Sequence, residues 1–478
     1  MESSLTKPDS TDLTAMPDIP TSASEQPYDV VILGGGSGGY ACALRSAQLG
    51  LKVALVEKDK VGGTCLHRGC IPTKALLHAA EVADTAREGA KFGVNSSVES
   101  IDMEAVLKYQ DGVVGRLHKG LQGLVSSAAI DYITGVGHVT SATTVSVGGR
   151  VLTGRHLVLA TGSYARTLPG LELGDRIMTS DQALRLTRVP ESVVVLGGGV
   201  IGVEFASVFR SFGAAVTIVE ALPRLVPAEE PSVSTALLRA FRKRKITVKT
   251  DARLASATPD DKGVEVVLED GTALRAELLL VAVGRGPVTD DMGFDEAGIA
   301  RDRGFVTTDE RLRTSVPGVY AVGDIVPGLQ LAHRGFAHGI FVAEDIAGLA
   351  PSPVIDEFIP KVTYCDPEIA SVGLTEAQAR DRFGDATTYD YNLGGNGKSQ
   401  ILATSGSVKL VKAPDGRVVG IHMIGARMGE QIGEAQLIVG WEGTAEDVAP
   451  MIHAHPTQNE ALGEAHLALA GKPLHAHA

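Results

Sequence analysis

The sequence predicts an α/β protein of about three domains: two doubly wound units of the dinucleotide-binding kind, then a C-terminal α+β unit. Three observations predict it. The 478 residues suffice for about three separate cores. A strand, a glycine-rich turn, a helix and a second strand ending in an acid occur twice, from Gly34 to Glu57 and from Gly197 to Glu220, over the same 23 positions. Glycine is abundant, at 56 residues, and aromatics make up only 4%, which suits open layers with tight strand-to-helix turns better than a β-sandwich.

The first unit opens on Asp29-Val30-Val31-Ile32-Leu33, a continuous apolar strand of the buried parallel type. It runs into Gly34-x-Gly36-x-x-Gly39, an Ala-rich helix over 40–49 and a strand over 53–56 that ends at Glu57. The chemistry needs this order: glycines allow the tight turn and the close approach of backbone to a pyrophosphate, the helix N-terminus faces the phosphates, and the acid takes ribose hydroxyls. Next comes Gly62-Gly63-Thr64-Cys65-Leu66-His67-Arg68-Gly69-Cys70-Ile71-Pro72-Thr73-Lys74. Just over one helical turn would bring Cys65 and Cys70 together, and a helix N-terminus and Arg68 would lower a thiol's pKa. Spacing alone leaves open a redox pair or two unrelated cysteines.

Residues 81–127 read as helical with a solvated face, and 130–159 as a small antiparallel excursion. The latter ends in an apolar strand and an abrupt Thr161-Gly162 stop, which marks a crossover between domains. The second unit repeats the first, with a strand over 193–196, Gly197-x-Gly199-x-x-Gly202, a helix through Phe212 and a strand ending at Glu220. An acid there repels a 2′-phosphate and accepts from a 2′-hydroxyl, so Glu220 argues for NAD over NADP, with Arg224 close by as the opposing feature. A second crossover, 278–285, contains Gly284. Asp324, at the end of Val319-Tyr320-Ala321-Val322-Gly323-Asp324, either binds a polyol chain or caps the next helix, expected over 335–349.

A Pro-marked linker over 351–360 introduces the last unit, with strands over 407–411 and 418–424 and helices over 430–441 and 444–451. It ends in Ile452-His453-Ala454-His455-Pro456-Thr457-Gln458-Asn459-Glu460. A histidine held by a carboxylate is a general base poised near neutrality. Taken alone, this one suits a surface or capping role better. His475 and His477 read as solvated ends.

The formal charge of -13 argues against a nucleic-acid groove and would suit a basic partner. Four cysteines, Cys42, Cys65, Cys70 and Cys365, are too few to staple a secreted protein, and no zinc-type quartet is present, so a disulfide here would be catalytic. Residues 1–27 read as a flexible tail without signal-peptide features. No apolar run of about 18 residues predicts a membrane span, and the expected location is the cytoplasm.

Thiols cannot hand hydride to nicotinamide, whereas a flavin accepts from a thiolate and passes hydride on, so FAD is expected in the first site and NAD in the second. With these motifs in this order, the chain resembles the flavin-dependent pyridine nucleotide-disulfide oxidoreductases over residues 28–475, and within them the branch that oxidises dihydrolipoamide. The resemblance implies that Cys65 is the interchange thiol and Cys70 the thiol next to flavin, and that Lys74 lies near the flavin ring paired with Glu204. It implies that Asp324 meets the FAD ribityl chain and that His455 is the base with Glu460 as its acid, His453 being only a supporting candidate. It divides the chain into a tail (1–27), an FAD-binding domain (28–163), an NAD-binding domain (164–287), a second central FAD segment (288–355) and a dimerisation domain (356–478).

The same resemblance implies an obligate homodimer in which each His-Glu pair serves the other subunit's disulfide. The activity implied is oxidation of protein-bound dihydrolipoamide with reduction of NAD, in a 2-oxoacid dehydrogenase or glycine-cleavage complex. The partner would be a lipoylated acyltransferase or lipoyl carrier protein. The alternative is an FAD reductase for another small disulfide, a quinone or a dye. Lipoamide is favoured because Glu220 stands where NADPH-dependent relatives carry basic residues, the chain ends without a cysteine pair, and the Cys65/Cys70 pair is intact. Two departures stand out. His67-Arg68 replaces a frequent Asn-Val, predicting faster thiolate formation at Cys65, and His338 stands where an acid is frequent.

Overall fold

The computed structural model describes residues 27–475. The assignments made for residues 1–26 of the tail and for His477 lie outside the described residues. The chain begins with β1 (Tyr28–Leu33), α1 (Ser37–Gln48) and β2 (Val53–Glu57), followed by α2 (Gly63–Arg68), α3 (Cys70–Glu88) and α4 (Met103–Ser127). Strands β3 (Asp131–Thr134), β4 (Gly137–Ser141), β5 (Thr144–Val147) and β6 (Arg150–Leu159) complete the first pass. The sheet order is β3-β2-β1-β6-β5-β4, with Val319–Ala321 returning much later to pair with β6. Its centre is parallel because β1, β2 and the end of β6 are apolar on both faces; Val30, Ile32, Leu55 and Val158 are fully enclosed. The expected antiparallel excursion is β4, β5 and the first half of β6.

The second sheet is built on the same plan. Its strands include β7 (Ile177–Thr179), β8 (Ser192–Leu196) and β9 (Ala215–Val219), with α5 (Val200–Phe212) crossing between the last two. Together with Thr247–Lys249 and Leu278–Val281 they form a wholly parallel five-stranded layer. The two crossovers run side by side, Ser163–Ala165 pairing antiparallel with Arg285–Pro287, so the exit from the first sheet and the return from the second are held as one ribbon.

A long helix, α6 (Ala332–Ile346), then packs on α1. Their backbones nearly touch: a Cβ on Gly339 would sit 2.2 Å from the Gly38 carbonyl oxygen. The C-terminal region is a five-stranded antiparallel sheet that includes Lys361–Thr363, Glu368–Gly373 and Val418–Gly425, covered by α7 (Met428–Gly440) and α8 (Glu460–Leu469). Among the described residues no helix is long and apolar enough to cross a membrane.

One local expectation fails. The redox pair does not lie on a single turn of helix: Gly69, at φ -141° and ψ -112°, breaks the chain between α2 and α3. Cys70 therefore heads a new helix, with the positive end of a 19-residue dipole beneath it, while Cys65 sits inside the preceding short one.

Candidate active site

The first glycine turn assigns a different task to each glycine. Gly34 takes φ +108°, and a side chain there would strike the Ala160 carbonyl; one on Gly39 would strike Gly34. Gly36 is different, because a Cβ on it would point across a gap toward Gly63, 4.0 Å away. Two glycines thus let strand and helix pack, and the middle one keeps a cleft clear. No side chain caps α1, so its leading N–H groups are left to an anion in that cleft. Glu57 is buried at the end of β2, its Oε2 accepting from the Gly35 N–H at 2.6 Å and its Oε1 from Asp59 at 2.8 Å.

One cavity joins this cleft to the cysteines. Its lining includes Gly36, Cys65, Cys70, Lys74, Gly162 and Asp324. Asp324 accepts from the Ser163 hydroxyl, which also accepts from Arg285 Nε at 2.7 Å. The Gly323 N–H beside it donates to His338 Nδ1 at 3.3 Å. Burial pushes His338 down to about 4, so it serves as a neutral acceptor where an acid would carry charge. Thr161 donates to the Val288 carbonyl across the paired crossovers, and Gly162 adopts φ +77°. A glycine-cleared cleft, an uncapped helix and an acid at the far wall fit the phosphates and polyol of FAD, and the thiols lie in the same space.

The thiols are not equivalent. The neighbouring Cys65 is the main reason Cys70 falls to about 7, with Lys74 adding to it against the opposing effect of burial. Cys65 moves the other way, pushed up first by its neighbour Cys70 and then by burial. Neither His67 nor Arg68, expected to activate Cys65, is among the groups that act on it. Arg68 is spoken for by Asp59 at 3.2 Å, and His67 turns away, Nε2 lying 3.0 Å from the Val61 carbonyl and its ring packing edge-on against His118.

Lys74 lies one turn along α3 from Cys70, with Nζ 3.0 Å from both oxygens of Glu204 on α5. Glu204 is 4% exposed, and stripping such a buried carboxylate of its partner typically costs about 3–5 kcal/mol. Two residues that sequence reasoning missed complete the surroundings. Tyr40 is pushed up to about 12 by burial and then by the electrostatic influence of the cysteine pair, so it stays a neutral phenol. Tyr364 packs its ring 4.7 Å from Lys74 Nζ, and its N–H donates to Glu204 at 2.9 Å. Nothing in the local sequence signals either contact.

The second turn repeats the first: Gly197 takes φ +109° against the Ala282 carbonyl, Gly202 abuts Gly197, and no described residue lies within 4 Å of a Cβ on Gly199. Glu220 accepts from the N–H groups of Gly198 and Leu222. Arg224 donates to the carbonyls of Glu229 and Pro227, at 3.0 and 2.6 Å, which removes it as a seat for a 2′-phosphate. Gly284, at φ +108°, also faces open space. This arrangement fits NAD.

His455 Nδ1 lies 2.7 Å from Glu460, whose other oxygen accepts from the Thr457 N–H at 2.7 Å. Its neighbour His453 is held by Glu434 at 2.8 Å, and Asn459 also donates to Glu434. The structure does not bring His455 to the thiols of its own chain: it lines no part of their cavity, and its side chain is 76% exposed.

A family model described as pyridine nucleotide-disulphide oxidoreductase matches residues 28–339, and one described as the dimerisation domain of that family matches residues 359–466. The dihydrolipoyl dehydrogenase of Bacillus subtilis is 40% identical over 94% of this chain and 99% of its own. That of Chlorobaculum parvum is 42% identical over 93% and 97%. Among solved structures, LpdA from Mycobacterium tuberculosis superposes with a TM-score of 0.86 at 25% identity, covering 92% of this chain and 99% of the other. The Cu(II) complex of the HOCl-induced flavoprotein disulfide reductase RclA from Escherichia coli gives 0.84 at 26%, covering 93% and 100%.

Proposed function

Since the chain belongs to the pyridine nucleotide-disulphide oxidoreductase family, we propose that it is a dihydrolipoyl dehydrogenase, oxidising protein-bound dihydrolipoamide to lipoamide and reducing NAD by way of FAD. The observation that carries this is the pair of thiols, Cys65 and Cys70, lining with Lys74 the same cavity as the first glycine turn. Bound there, FAD supplies two-electron exchange with thiols on one side and with nicotinamide on the other. Gly36 and the start of α1 hold its phosphates, Glu57 its ribose and Asp324 its polyol; Gly199, Glu220 and Gly284 hold NAD.

In the thiol half of the reaction, His455 takes the proton from a substrate thiol and Glu460 holds the resulting imidazolium. The substrate thiolate attacks Cys65, the Cys65–Cys70 bond breaks, and Cys70 leaves as a thiolate beside Lys74. The second substrate thiol then attacks the mixed disulfide, closing the lipoamide ring and freeing Cys65 as a thiol. Two electrons and two protons thus leave the substrate, and the cysteine pair is reduced. His455 acts on the other subunit's thiols in a homodimer formed by the C-terminal domain; its exposure and its absence from its own chain's cavity support this reading. The protein works in the cytoplasm, docked to the lipoylated acyltransferase or carrier of a multienzyme complex. Its charge of -13 suits a basic docking segment, so complex formation should weaken as salt rises.

NADH formation from dihydrolipoamide tests the assignment. Cys65→Ser should lower turnover at least about 10³-fold while FAD stays bound. Faster turnover of NADPH with another disulfide, or of NADH with a quinone, would move the assignment to a different reductase.

A further inference from the structure

The C-terminal region contributes to the thiol site of its own chain through a residue that no motif contains. Tyr364 follows the edge strand Lys361–Thr363, and Val362 on that strand lines the cavity holding Cys65 and Cys70. The Tyr364 ring lies 4.7 Å from the Lys74 ammonium, and its backbone N–H fixes the Glu204 oxygen that Lys74 also uses. Lys74 is thereby held by a carboxylate from the second domain and an aromatic face from the third. We propose that Tyr364 is a positioning residue for the redox thiols, its ring keeping the Lys74 ammonium directed at Cys70.

The charges around Lys74 are consistent with this role. On α3 the facing group is the Cys70 sulfur, on α5 it is Glu204, and on the C-terminal side it is Tyr364, itself influenced by Glu368 and Glu430. Burial works against the Lys74 charge; Glu204, Cys70 and Tyr364 restore it, and Lys74 stays cationic. Lys74 in turn helps hold Cys70 as thiolate. Without the ring, the ammonium keeps Glu204 but loses the wall that stops it rotating toward solvent. The Tyr364 ring is partly exposed, and a cation–π contact of this kind is large enough to move a neighbouring thiol by about half a pH unit.

The proposal rests on the assignment of Cys70 as the flavin-side thiol, but its test needs no dithiol substrate and so is separable from the lipoamide reading. In FAD-loaded Cys65→Ser protein, Cys70 is the accessible thiol, since Cys42 and Cys365 are buried. The pH of half-maximal alkylation by iodoacetamide is compared among Tyr364 variants with unchanged flavin content. Tyr364→Leu should raise it by about half a unit, and Tyr364→Phe, which keeps the ring, should leave it in place. If Tyr364→Leu does not fold, Tyr364→Trp serves instead, and should leave the midpoint unchanged or lower it. A Leu profile that superimposes on the parent, a Phe shift as large as the Leu shift, or a rise with Trp would each overturn the proposal.

Discussion

Around Gly34–Gly39 and around Gly197–Gly202 the backbone makes the same turn, with the first glycine at φ +108° and +109° and the end of each second strand returning a glutamate to the turn's own N–H. The surroundings differ. Over the first turn the chain folds back as α2, placing Gly63 opposite Gly36 and enclosing the cleft with both cysteines. Over the second, no described residue comes within 4 Å of a Cβ on Gly199, and the adjoining Val200 is exposed. Equal recognition chemistry under unequal cover separates a cofactor that stays from one that comes and goes.

The harshest way to break the comparison is to attack what the turns share. Gly39→Val and Gly202→Val put a Cβ 1.8 and 1.9 Å from a backbone carbonyl oxygen, so each should destabilise its own sheet by roughly 3 kcal/mol or more, measured by urea denaturation. Attacking what differs should be gentler and asymmetric. Gly36→Ala should yield folded protein poor in flavin. Gly199→Ala should retain flavin and raise the KM for NAD about tenfold, with little change in thiol reduction. Equal flavin contents in the two variants would erase the distinction.

The mildest probe is pH. A thiol held down at about 7 is thiolate above that value and loses charge tenfold per unit below it. Reduction by dithiol should therefore slow below pH 7 while NAD affinity stays level, and stopped-flow measurement of the two half-reactions checks this. In the reduced protein the same group stabilises the fold above its ordinary value of 9.0, and that contribution is lost as pH falls through about 7.

What the sequence made legible was whatever lies contiguous along the chain. Glycine spacing and terminal acids are local, so both turns could be foreseen, whereas the 2.7 Å contact of His455 with Glu460 came only from the family resemblance, the residues alone suiting a surface or capping role. Electrostatics at the thiols could not be foreseen, because Arg68 is neutralised by Asp59 and His67 is turned away by Val61 and His118, none of which the spacing of the cysteines reveals. The break at Gly69 was equally hidden, since glycine permits a helix turn and a helix end alike. Tyr364 was invisible for a third reason: it reaches Lys74 from the far end of the chain, and only the packing of three regions makes them neighbours.

The outward-facing His455 makes the protein open to genetic complementation. Dimers of Cys65→Ser alone lack the acceptor thiol, and dimers of His455→Gln alone lack the base, so each should be nearly inactive. If base and thiols come from different chains, a co-expressed mixture holds about half mixed dimers, each with one complete site and one doubly defective one, and roughly a quarter of normal turnover returns. Two dead alleles would then restore growth together, whereas a cell carrying only one of them would gain nothing from making more of it.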